Sequence, residues 1–107
     1  MDNFRLRVQN RWVNAIIHEL TDRLRKLPLQ ELPPDGKMMH SNWTRLLQLL
    51  EIHRHERRIL KKVDVRIHYL DAWALDRYLR IRLVEIGEEN EEFLAYQSLT
   101  AELANYL

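Results

Sequence analysis

The sequence predicts an all-α fold, a single domain of four long amphipathic helices packed as a bundle. Three observations predict it. Apolar residues recur at spacings of three and four along most of the 107-residue chain, the period of a helix with one buried face. Two glycines and three prolines are too few for the tight turns of an all-β chain. Hydrophobic residues at 46% and charged residues at 31% supply one modest core and exclude disorder.

Helix one is expected over residues 3–27. Val13, Ile16, Ile17, Leu20, Leu24 and Leu27 form one stripe, and Pro28 stops it. "LQELPPDGKMMH", Leu29 to His40, carries the breakers and reads as the main loop. Helix two is expected over 42–62, with Asn42 or Ser41 as N-cap. Trp43, Leu46, Leu47 and Leu50 line its apolar face, which fades into "HRHERR" and returns at Ile59, Leu60 and Val63.

Helix three is expected over 64–86. Either Asp64 caps it, or helix two simply continues through Val63. Gly87, able to take the left-handed conformation, is its expected C-terminal stop. It carries two apolar stripes: Ala72, Leu75, Leu79, Leu83 and Ile86 on one side, Ile67, Leu70, Ala74, Ile81 and Val84 on the other. Two stripes suit a helix that packs on its own domain with one side and on a partner with the other. Helix four is expected over 90–106, opened by the acidic "EENEE" at the positive end of its dipole. Its stripe is Phe93, Tyr96, Leu99, Leu103 and Tyr106. No internal repeat or second domain is legible.

The formal charge of +1 conceals an asymmetry. Arg54, Arg57, Arg58, Lys61, Lys62 and Arg66 make a basic stretch, whereas residues 83–107 hold six glutamates and no lysine or arginine. The basic stretch is a candidate for salt-sensitive, sequence-independent contact with nucleic-acid phosphates. The alternatives are a solvated face or a docking site for protein.

Catalytic chemistry has little material. There is no cysteine, there are only two serines, Ser41 and Ser98, and no glycine-rich phosphate loop occurs. His53 and His55 point about 200° apart on a helix and cannot share an ion. Glu51 with His55, and His18 with Asp22, give two ligands where a metal needs more. No enzyme, cofactor, metal or small-molecule substrate is expected. No apolar run approaches the ~20 residues of a membrane span. "MDNFRLRVQNRW" lacks a secretion signal, and the absence of cysteine fits a reducing, intracellular compartment.

"LDRYLRIRLVEIGE" sets Arg77, Arg80 and Arg82 among apolar residues. Simple solubilisation is one reading. The other is an interface in which arginine stems cover apolar surface and their heads meet carboxylates. Within it, "YLRIRLVEI", Tyr78 to Ile86, resembles the hallmark helix of GINS subunits, the small paralogous proteins of the replicative helicase. "ENEEFLAYQSLTAELANYL" is similar to the final helix of that family's α-domain. "AIIHELTDRLRKLPLQELPPDG" is similar to its opening helix and loop. Glu85 and Gly87 depart from the pattern, and the family's small β-rich domain has no counterpart among these residues. The resemblance implies a non-enzymatic scaffold in DNA replication, nuclear in a eukaryote, built into a hetero-oligomer of helical subunits. Its partner interface would comprise Tyr78, Leu79, Arg80, Arg82, Leu83 and Ile86.

Overall fold

Phe4, Leu6 and Val8 alternate with Arg5, Arg7 and Gln9, and a period of two makes a strand with one buried face. In the computed structural model, which describes residues 3–57 and 62–107, Asn3–Gln9 is strand β1. Val63, Val65 and Ile67 alternate in the same way within strand β2, Lys62–His68. The two pair antiparallel, with Leu6 opposite Val65 at the centre. The scarcity of glycine does not bear on this ribbon, because no tight turn joins its strands: two helices lie between them.

The four expected helices are all present, with different limits. Helix α1 is Asn10–Lys26, shortened at its start by β1. Helix α2 is Pro34–Arg57 and begins well before Ser41 or Asn42. Pro34 occupies its first position, where a missing N–H is no loss, and Asp35 favours the positive end of the dipole. The expected loop thus shrinks to a 3₁₀ turn, Leu29–Glu31, and its flanks. Helix α3 is Tyr69–Glu85, and Asp64 lies in β2 instead of capping it. The return of the helix-two stripe at Ile59 and Leu60 lies outside the described residues.

Gly87 does not adopt a positive φ. Extended backbone at Ile86 (φ −100°, ψ 156°) ends α3 instead. Helix α4, Glu91–Ala104, is capped by Asn90, whose side chain accepts from the Glu92 N–H at 2.9 Å.

A repeat that the sequence conceals organises these elements. β1 and β2 are both 7 residues long and α1 and α3 both 17. β2 and α3 each start 59 positions after their counterparts, Asn3 to Lys62 and Asn10 to Tyr69, whereas α4 starts 57 positions after α2 and runs 14 residues against 24. The chain is therefore two strand–helix–helix halves, joined about the antiparallel pair Leu6–Val65. At that offset only Arg7/Arg66, Ala15/Ala74, Leu20/Leu79, Arg23/Arg82 and Leu24/Leu83 are identical. What repeats is burial: Leu6, Val8, Val13, Ile16 and Leu20 are buried, as are Val65, Ile67, Ala72, Leu75 and Leu79.

The halves also meet through two aromatic pairs, one between α1 and α4 and one within the closer packing of α2 on α3. Trp12 of α1 meets Tyr96 of α4 edge-on at 6.1 Å, and Trp43 of α2 meets Tyr78 of α3 at 6.3 Å. Trp43 also donates its indole N–H to the Ala74 carbonyl at 3.0 Å. Burial, and then the adjacent Glu19 and Glu92 carboxylates respectively, push the Tyr78 and Tyr96 phenols well above their ordinary range, so both stay protonated. Among the described residues no helix is long and apolar enough to cross a membrane.

Candidate nucleic-acid interface

Because side chains alternate along a strand, one face of the ribbon carries Leu6, Val8, Val65 and Ile67 into the core. The other face is left to solvent, with Arg5, Arg7, Asp64, Arg66 and His68 all exposed. The register sets Arg5 directly opposite Arg66, and Arg7 opposite Asp64. Residues directly opposed have Cβ atoms about 4.5–5.5 Å apart, and like charges so placed repel. Near the end of α2, His53 borders a shallow depression with Arg5, Asp64 and Arg66, and Arg54 follows it, exposed.

Among the described residues, none of Arg5, Arg7 and Arg66 has an ion-pair partner. Several arginines of the helices contrast with them. Arg11 pairs with Glu91 and lies over the Trp12 ring. Arg80 binds Asp76 at 2.9 Å, and Arg77 stacks on Trp73 at 5.2 Å. Arg23 and Arg82, at equivalent positions in the two halves, both hold Glu85. Arg23 also binds Glu19 at 2.8 Å, and Arg82 binds Glu92 at 3.1 Å. Burial opposes charge on both guanidinium groups, but these carboxylates outweigh it. Arg11, Arg23, Arg77, Arg80 and Arg82 are thus engaged within the molecule, whereas among the described residues Arg5, Arg7 and Arg66 of the ribbon, like Arg25 of α1 and Arg54 of α2, have no ion-pair partner.

That clamp has a pH signature. Burial acts to raise the Glu85 pKa, but hydrogen bonds and charge from Arg23 and Arg82 prevail and hold it below its usual 4.5. A carboxylate depressed in the folded state stabilises the fold above its unfolded pKa, and that contribution is lost as pH falls through the lower folded value. Glu85→Gln is therefore expected to lower the melting temperature at neutral pH, with the gap from the natural protein closing as pH falls below 4.5. A gap that stays constant with pH would remove the Glu85 charge from the clamp.

The expected partner interface on α3 is only partly available. Tyr78 and Leu79 are each 0% exposed, because they lie on the face that α3 turns to the core. Leu83 and Ile86 pack against the same core and are half-buried. Arg82 is largely covered by its carboxylates, which leaves Arg80 as the exposed member of the set. The basic stretch is dispersed. Arg54 is exposed on α2, Arg57 is that helix's last residue, and Lys62 is the first residue of β2. Arg58 and Lys61 lie outside the described residues. Arg66 joins the ribbon face, beside Arg5 and Arg7, at positions expected to be helical from the sequence. Strict alternation in "FRLRVQ" was the signal that could have found them.

Among the described residues no group of three or more histidine, aspartate or glutamate side chains is placed to hold a metal ion. Comparison of the chain with protein-family models, with curated proteins and with solved structures finds no match.

Proposed function

We propose that the protein binds duplex DNA, with the β1–β2 ribbon lying in the major groove and its outer face turned to the bases. The observation that carries this reading is the opposed Arg5–Arg66 pair, without an ion-pair partner among the described residues, with Arg7 beside it on the solvent face of a two-stranded ribbon. The B-form major groove, about 12 Å wide, admits such a ribbon. A polyanion relieves the repulsion between Arg5 and Arg66 that the isolated protein must carry. Duplex RNA fits less well, since its major groove is too deep and narrow for side chains to read. DNA binding would place the protein inside the cell.

A protein scaffold in a replication assembly is the second reading, and one observation favours it. Leu70, Ile81 and Val84 are 53%, 39% and 87% exposed along one side of α3, an apolar surface that a partner helix would cover. This reading uses that side and Arg80, since Tyr78 and Leu79 are occupied in the core.

Fluorescence anisotropy with a random-sequence duplex across a salt series tests the first reading. Binding is expected at low salt, with a slope of log K against log [salt] of about −3 or steeper at roughly −0.9 per contacted phosphate. Duplex RNA of the same length should bind more weakly. No binding to duplex DNA at low salt, together with association into oligomers or with a helical partner, would favour the scaffold.

A further inference from the structure

We infer that the ribbon reads a DNA site without dyad symmetry, one half through a pair of arginines and the other through an arginine and an aspartate; the inference rests on the DNA-binding reading above. Where two identical chains form a ribbon, each half presents the same side chains, and the DNA site mirrors the protein's two-fold symmetry. Here one chain supplies both strands. Its two halves are equivalent in backbone, about the Leu6–Val65 pair, but not in the residues they present.

At the equivalent outer positions Arg7 matches Arg66, but Arg5 is matched by Asp64 and Gln9 by His68. The register therefore sorts the charges lengthwise. On one side of the centre Arg5 faces Arg66, and beyond them lies His68. On the other side Arg7 faces Asp64, and Gln9 follows. These residues carry different instructions. Arginine donates two hydrogen bonds to guanine O6 and N7, whereas aspartate accepts one from the cytosine N4 amino group. Aspartate also repels phosphate, so its half should lie where base edges, not backbone, come nearest. The Arg5–Arg66 half is accordingly expected to select guanines. The Arg7–Asp64 half is expected to select a guanine together with a cytosine.

Selection from a library of short duplexes with a randomised core, followed by sequencing of the bound fraction, tests this. The purified natural chain and Asp64→Arg are compared, with one chain per duplex verified by mass. Asp64 is exposed, so the variant should keep its helical spectrum, with its melting temperature lowered only slightly by the new like-charge pair opposite Arg7. The natural chain is expected to enrich a non-palindromic site. Asp64→Arg, which makes the inner positions of the two halves alike, should enrich a more symmetric site and bind it at least about fivefold more tightly, as a gained bidentate contact allows. A palindromic site for the natural chain, binding without any enrichment, or an unchanged preference in Asp64→Arg would each overturn the inference while leaving DNA binding intact. No duplex bound at all would overturn the DNA reading itself.

Discussion

Tyr78→Ala is expected to cost about 3–5 kcal/mol, the range for deleting a buried aromatic side chain, and to lower the melting temperature by more than about 10 °C. Tyr78 is fully buried, packs edge-on against Trp43 and lies under the Arg23 guanidinium. Its removal opens a cavity where the two halves of the molecule meet, between α2 and α3. Domains of this size are stable by only about 5–15 kcal/mol, so a large part of the fold's margin goes with one ring. Thermal unfolding followed by circular dichroism measures the effect. The outcome separates two roles for the "YLRIRLVEI" helix. A residue reserved for a partner would leave the isolated protein as stable as before, and a shift of less than about 2 °C would return Tyr78 to an interface.

The four helices were legible because each carries apolar residues at a period near 3.6 along at least part of its length. Leu20, Leu46, Leu79 and Leu103, one from each stripe, are all fully buried. The strands were not legible, for a specific reason. Each is only 7 residues long and runs without a break into a helix, so its apolar residues can be absorbed into the neighbouring stripe. Phe4, Leu6 and Val8 fall within the span expected for helix one, and Val63 and Ile67 fall within the stripes expected for helices two and three. The repeat was hidden for a related reason. Packing constrains which positions are buried far more than which apolar residue fills them, so Val13 can match Ala72 and Ile16 can match Leu75. The basic surface was missed through its sequence distance. Arg5 and Arg7 reach Arg66 only through strand pairing across α1 and α2, and no local window shows that. The arginines of α3, conspicuous in the sequence, prove to be matched within the chain by Asp76, Glu85, Glu92 and the Trp73 ring.

The triple variant Arg5→Ala, Arg7→Ala, Arg66→Ala is expected to lose at least about 100-fold in affinity for duplex DNA, since each arginine contact to a base edge is worth about 1–3 kcal/mol. The salt dependence of whatever binding remains should be shallower, because fewer phosphate counterions are released. Stability should not fall with affinity. All three side chains are exposed, exposed substitutions usually change stability by within about 0.5 kcal/mol, and removing the opposed Arg5–Arg66 pair relieves a repulsion. The control is Arg77→Ala with Arg80→Ala on α3, which removes two positive charges from a surface where they are already engaged by Trp73 and Asp76. If charge alone governed binding, the control would weaken it nearly as much, per charge removed, as the ribbon variant. If the ribbon lies in the groove, the control binds within about threefold of the natural protein, a difference of less than 1 kcal/mol, while the ribbon variant fails. A ribbon variant that binds normally, at unchanged melting temperature, would take the DNA surface away from β1 and β2 altogether.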